Sequence, residues 1–384
     1  MYYGDLQTGV YWLSLKKDYS LSVIIPVYRT SPTLEDTILK LISSKHPSKE
    51  IIVVVDCPDQ NIQDIVERYG KEVVFDVSQE RRGKVSCLRR GCSLSKGDAF
   101  FFLDADTSLV GEDLLKRINE ELQSYDVVEF KKVVKGNSLL SKMVYYEYLG
   151  ISAADWLISV STKRTFGMNG AAFAITKEAF EKVGGFRDVI SEDLDFGLRC
   201  FERGLKFKFI DDLPVYTFAP PTFSAWVKQR KRWAYGTAKW LRDNWKEIFV
   251  MVRSKPQIAL LSLLMIFPSL LALFASFAFR DLAIWDTIAL LFISFPARSF
   301  PLLLIPFVTP QEINGIFSFA TATLFGLAAY SSLYFYFARR MKLKFSPILF
   351  VLYYLVYSPL WLAAMVWGIV RVAIKEEVDI DWKV

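Results

Sequence analysis

Phe100-Phe101-Phe102-Leu103-Asp104-Ala105-Asp106-Thr107 decides the reading of this chain. Four apolar residues stop at two carboxylates separated by one small residue. Such a run reads as a strand buried on both faces, carrying acids at its C-terminal end. In open α/β sheets, ligands bind at that edge. Two carboxylates so close repel each other unless a cation stands between them. Mg²⁺ or Mn²⁺ accept such hard oxygens together with substrate phosphates. The rival reading is a helix N-cap, with Asp106 or Thr107 opening a helix at Glu112-Asp113-Leu114-Leu115.

Upstream, strands and helices alternate. Residues 21–28 read as a first buried strand, with Pro26 at its C-terminal end, where a missing N–H is tolerated. Ser31-Pro32-Thr33-Leu34-Glu35-Asp36 opens a helix running to about Ser43. Residues 50–56 form a second strand ending in Asp56, followed by a helix over 62–69 and a strand over 72–76. Arg81-Arg82-Gly83-Lys84 then leads into a helix that Gly97 ends. The alternation predicts an α/β fold with a mostly parallel sheet and right-handed crossovers.

Composition divides the chain. Its 384 residues suffice for about two domains. Apolar residues make up 52% and aromatics 15%, high for a soluble protein, and they concentrate after Arg253-Ser254-Lys255-Pro256. The formal charge of +6 suits anionic lipid or phosphorylated substrates. No aromatic-plus-glycine RNA signature accompanies it, so nucleic acid is not an expected partner. Four cysteines with no C-x-x-C fit a reduced compartment without structural zinc. His46 is the single histidine, which excludes His-based triads and leaves catalysis to carboxylates. Residues 1–20 lack the apolar core of a cleavable signal, so the catalytic part is expected in the cytoplasm. Tyr11-Trp12-Leu13-Ser14-Leu15-Lys16-Lys17 reads either as a membrane-surface segment or as a packing arm.

Downstream, residues 126–130 read as a strand and 143–161 as an aromatic-rich helix. After the Gly184-Gly185-Phe186 turn, Leu194, Leu198 and Phe201 fall at helical spacing. Ser191 is then the natural N-cap, with Glu192 and Asp193 in the first turn, where the helix dipole favours anions. Acids in a first turn are also ordinary helix chemistry. Residues 222–249 read as a basic, aromatic interfacial helix. Trp226, Trp233 and Trp240 recur every seven residues, and Gln229, Arg232, Trp233 and Gly236 share their face. Lys228, Arg230, Lys231, Lys239, Arg242 and Lys246 fill much of the remainder. Polar groups among the tryptophans suggest a polar ligand beyond simple anchoring.

Residues 258–279, 315–337 and 348–370 carry no charge and are long enough to cross a bilayer. Residues 282–308 carry Asp286, Arg298 and three prolines, and read as a kinked span or a re-entrant segment. The basic loop Arg339-Arg340-Met341-Lys342-Leu343-Lys344 is expected to be cytoplasmic, which favours three crossings, whereas hairpin pairing of spans favours four.

Taken together, the chain resembles a membrane-bound family 2 glycosyltransferase, of the branch holding cellulose, chitin and hyaluronan synthases. The resemblance runs from about Ser22 to Trp240. It rests on eight matches in order: Ile25-Pro26-Val27-Tyr28, Val54-Val55-Asp56, Gly83-Lys84, Lys96-Gly97-Asp98, Asp104-Ala105-Asp106, Gly184-Gly185-Phe186, Ser191-Glu192-Asp193 and Gln229-Arg230-Lys231-Arg232-Trp233. Each is weak alone, whereas the ordered set is specific. Cys57 stands where the family often has a second acid, and Ser191 where it has threonine.

The resemblance implies a GT-A-type domain over 1–220, interfacial helices over 221–255 and a transmembrane domain of three to four spans over 256–375. It implies a nucleotide-diphosphate sugar as donor, a UDP-sugar favoured, contacted by Pro26, Tyr28, Asp56, Lys84, Asp104 and Arg232. Asp106 would hold Mg²⁺ or Mn²⁺. Asp193 would be the general base, with Glu192, Gln229 and Trp233 toward a saccharide or lipid acceptor. The expected reaction is inverting transfer onto a growing polysaccharide or glycolipid by an integral protein of the cell membrane, in contact with its lipids. Single-sugar transfer to a lipid and an inactive membrane scaffold are the rival readings.

Overall fold

The computed structural model describes residues 18–111, 113–271 and 310–374. The arm at 11–17, Glu112 and the proline-rich segment 282–308 lie outside the described residues.

Seven strands form one sheet in the order β3-β2-β1-β4-β6-β5-β7. These are β1 (Leu21–Tyr28), β2 (Lys49–Asp56), β3 (Val74–Ser78), β4 (Ala99–Leu103), β5 (Val127–Lys135), β6 (Ala172–Thr176) and β7 (Phe207–Phe218). β6 runs antiparallel to β4 and β5, and the other pairs are parallel. The sheet is therefore mixed but mostly parallel.

The apolar strands are buried on both faces. Val23, Ile25 and Phe101 point to one side, where α1 (Leu34–Ser43), α2 (Gln60–Tyr69) and α4 (Leu114–Leu122) supply Ile38, Ile65 and Ile118. Ile24, Phe100 and Phe102 point to the other. There they meet α3 (Lys84–Leu94), α6 (Lys177–Val183) and α7 (Glu192–Glu202) through Leu88, Val183 and Phe196. Alternation within an all-apolar run is what a strand sandwiched by helices requires.

A second core joins α5 (Leu139–Thr162) and α8 (Phe223–Asp243) to three later helices: α10 (Pro256–Ile266), α11 (Pro310–Arg340) and α12 (Pro347–Ala373). α12 contains a π turn at Tyr353–Tyr357 and is, among the described residues, the helix long and apolar enough to cross a membrane. It crosses α8 backbone to backbone: a Cβ on Gly368 would come 2.5 Å from the Ala234 carbonyl carbon.

Two readings change. The basic helix expected over 222–249 breaks at Asn244, and α9 (Trp245–Ser254) continues from it. The span expected over 258–279 is not one helix. α10 stops at Ile266, because Pro268 drives the preceding Phe267 out of helical geometry (φ −126°, ψ 73°). α9 and α10 are bent against each other by 108°.

The loop between α11 and α12 lies against β5 and α5. Buried Lys131 donates from Nζ to the Met341 carbonyl at 2.6 Å, and Tyr145 donates to the Lys344 carbonyl at 2.9 Å. Tyr146 OH accepts from the Ser346 N–H at 2.8 Å.

Candidate functional site

The site lies at the edge where β1, β2 and β4 end and β6 begins, since Leu103 pairs with Ala172. The turn after β4 is fixed from several directions. Asp104 N–H donates to the Ala171 carbonyl at 2.9 Å, and Thr107 N–H to the Asp104 carbonyl at 3.0 Å. The hydroxyls of Ser31 and Thr33 donate to the Ala105 carbonyl at 2.5 and 2.6 Å. Neither Asp106 nor Thr107 caps α4, which starts at Leu114 after Asp113. The N-cap reading of this stretch therefore fails.

Lys84 opens α3 behind Gly83, whose φ of 89° suits glycine. Its Nζ lies 2.9 Å from Asp104 Oδ1 and 3.1 Å from Glu192 Oε1. Enclosure alone would lower the Lys84 pKa, but Asp104, Glu192 and Asp193 outweigh it and hold the ammonium charged. One lysine thus joins β4, α3 and α7. Burial first, and Glu192 second, push the Asp193 carboxyl up to about 6 against the pull of Lys84.

Asp193 is not held as expected. Ser191 occupies the N-cap position but makes no side-chain cap bond, and Asp193 Oδ1 instead accepts from the Leu194 N–H at 2.8 Å. What fixes Ser191 is α8. A Cβ on Gly236 would come 2.5 Å from Ser191 Oγ and 2.9 Å from Ile190 Cγ2. Asp195, the other acid of the turn, is buried and paired with Arg199 at 2.7 Å.

Asp106 opens to solvent and makes no hydrogen bond or ion pair with another described residue. Among the described residues, no three His, Cys, Asp or Glu groups converge to hold a metal by themselves. One free carboxylate completed by substrate phosphate oxygens is a donor set that suits Mg²⁺ or Mn²⁺.

Asp56 is 2% exposed, and its oxygens are engaged. Oδ2 accepts from the N–H groups of Arg82 and Gly83 at 2.7 and 2.8 Å, and Oδ1 from Arg82 Nε at 2.8 Å. It anchors the turn that delivers Lys84. Tyr28 lies beside this turn, with the Arg81 guanidinium 4.5 Å from its ring centroid. Pro26 pairs with Val54 within β1, beyond Ile24, where the ladder to β4 ends.

The Gln229–Trp233 segment is a little more than one turn of α8. Its fully buried arginine is Arg230, which the sequence reading left among the outlying basic residues. Arg230 Nη2 pairs with Glu147 Oε2 at 2.5 Å, and Nη1 donates to Gln229 Oε1 at 2.6 Å. Its guanidinium sits 4.2 Å from the Trp233 ring centroid and 5.3 Å from that of Trp361. Arg232 is half-buried and makes no ion pair with a described residue. Besides Arg230 and Glu147, the sequence reading passed over Glu129 and Lys132, both buried at this end of β5. The available signal was charge inside a strand otherwise made of valine and phenylalanine.

The family model for glycosyl transferase family group 2 matches residues 99–374. The probable glycosyltransferase YdaM of Bacillus subtilis (strain 168) is 26% identical over 239 residues, covering 58% of this chain and 56% of that protein. A poly-beta-1,6-N-acetyl-D-glucosamine synthase of Staphylococcus aureus (strain COL) is 25% identical over 223 residues, covering 56% of this chain and 54% of that protein. The chain spans about half the length of the curated relatives it matches. Among solved structures, the mannosyltransferase PcManGT from Pyrobaculum calidifontis, in complex with GDP-Man and Mn2+, is similar with a TM-score of 0.48 and 19% identity, covering 80% of this chain and 87% of that one. The family match reaches from the strand that delivers Asp104 to the end of α12, well over half of the sequence, and this chain, with its GT-A-like α/β fold, belongs to glycosyl transferase family group 2.

Proposed function

We propose that the protein moves a sugar, with inversion, from a nucleotide-diphosphate sugar to a hydroxyl of a saccharide or lipid acceptor at the cytoplasmic face of the cell membrane. The observation that carries this reading is the Lys84 ammonium between Asp104 and Glu192, with Asp193 beside it, at the ligand-binding edge of the sheet.

In this reading the donor lies across the ends of β1, β2 and β4. Tyr28 and the Asp56–Arg82 pair meet the base, for which we favour uracil. Asp104 and Lys84 meet the sugar and diphosphate, and Arg232 reaches the diphosphate from α8. A divalent cation, Mg²⁺ or Mn²⁺, held by Asp106 would neutralise charge on the leaving diphosphate. Asp193 accepts the proton of the acceptor hydroxyl as its oxygen bonds to the anomeric carbon. The anomeric C–O bond breaks on the opposite side, and the electron pair leaves with the nucleoside diphosphate. Glu192, Gln229 and Trp233 line the acceptor end. Residues 1–220 form the catalytic domain and 221–255 the interfacial helices. Residues 256–375 lie in the membrane, in contact with its lipids.

Membranes containing the protein, incubated with a panel of labelled nucleotide sugars and Mg²⁺ or Mn²⁺, test this reading. Label transferred from one donor supports it, with a ladder of sizes marking a polymer and a single adduct a glycolipid. No transfer from any donor would contradict it.

A further inference from the structure

Two charged residues of β5 lie beneath the base. Glu129 is 1% exposed and Lys132 5%. Burying charge is costly unless it is paired and hydrogen-bonded, and a plain packing role would be met by apolar residues of similar size. Here both charges converge on one short turn. Lys132 Nζ donates to the Asn169 carbonyl at 2.8 Å and to Asn169 Oδ1 at 2.7 Å. Glu129 Oε1 accepts from the Asn169 N–H at 2.8 Å. The turn is thus gripped through both of its backbone polar groups and its side chain.

The next residue touches the base. Gly170 has φ +69°, and a Cβ there would come 2.8 Å from Asp193 Cβ and 3.0 Å from Asp193 Oδ2. A shift of the turn therefore moves the space that the Asp193 carboxylate can occupy. α7 presses on the same segment from its other end, since a Cβ on Gly197 would meet the Met168 nitrogen at 2.8 Å.

We propose that Lys132 and Glu129 are positioning residues, clamping the Asn169–Gly170 turn against Asp193 and so fixing the direction in which that carboxylate meets the acceptor hydroxyl. This rests on the assignment of Asp193 as the base that takes the acceptor proton while the anomeric carbon passes from the diphosphate to the acceptor oxygen.

A double-mutant cycle tests it. Lys132→Met and Asn169→Ala are each made in the wild-type and the Asp193→Asn background of the full chain in vesicles. Single-turnover transfer is measured with the donor chosen by the panel, and UDP binding with Mn²⁺ by calorimetry. Lys132→Met should slow transfer by about 10²-fold, the effect of a misplacement near 1 Å. Asn169→Ala should slow it less. Both effects should largely vanish in the Asp193→Asn background, because residues acting as a unit are not additive. UDP binding should stay within a few fold. Equal losses in both backgrounds, or weakened UDP binding, would overturn the clamp while leaving the base in place. Asp193→Asn transferring at the wild-type rate would instead remove the base itself. Should Lys132→Met fail to fold, Asn169→Ala, which deletes one side-chain oxygen contact, decides alone.

Discussion

At the scale of single residues, the carboxylates divide by how they are held. Asp106 makes no hydrogen bond or ion pair with another described residue whereas Asp104 is tied to Lys84, so the proposed reading gives cation-dependent binding to Asp106. Asp106→Ala should abolish the Mn²⁺-dependent part of UDP binding in calorimetry, and an unchanged isotherm would count against the assignment. Arg230 and Glu147 are a different case. Both side chains are fully buried, and the pair joins α8 to α5, with Tyr357 of α12 donating to the same Glu147 oxygen. Arg230→Met leaves an uncompensated buried carboxylate and should cost about 3–5 kcal/mol in thermal unfolding, whereas Glu147→Leu with Arg230→Met should recover most of it. The sequence made Asp104, Lys84, Glu192 and Asp193 legible, because each sits where a strand or helix must end or begin. It did not reveal Arg230–Glu147, whose partners are 83 positions apart. Nor did it reveal Lys132, because the strand expected over 126–130 stops short of it, whereas β5 runs on to Lys135.

At the scale of elements, the apolar strands and the central helices were legible, because each carries a clear period. β6 and β7 were not. β6 has five residues, and β7 hides a register shift: Phe130 pairs with Ile210 and Lys132 with Val215, leaving Asp211-Asp212-Leu213-Pro214 between. Acids and a proline inside a strand look like a loop, and a bulge is what accommodates them. The tryptophan spacing was informative only in part. Trp226 and Trp233 face α12, but Trp240 packs with Phe166 and Leu198. The contact that matters for the site is glycine-mediated. Gly236→Val should push α8 from Ser191 and lower transfer by at least tenfold, with UDP binding retained. Loss of both together would show that α8 supports the donor site instead.

At the scale of the whole molecule, the sheet and the helical core both reach Asp193. The sheet positions Asp104 and Lys84, while α8, packed on α12 in the second core, brings Gly236 against Ile190 and Ser191 at the start of α7. The α11–α12 loop, hydrogen-bonded to β5 and α5, ties the last helix to the sheet domain. The proposed transfer, from a water-soluble donor to an acceptor arriving at the membrane, uses that arrangement and rests on one carboxylate. Glu192, Lys84, Lys132 and Glu129 all face Asp193, whose pKa is raised to about 6. As the proposed base, Asp193 works deprotonated, so transfer should rise as the pH climbs through about 6. The most direct test measures transfer and UDP binding for the wild type and Asp193→Asn across that range. The account predicts that Asp193→Asn lowers transfer by about 10²–10⁴-fold, the usual worth of general-base catalysis, and loses the acidic limb while binding UDP within a few fold. Transfer by Asp193→Asn at near the wild-type rate, with the limb intact, would contradict it.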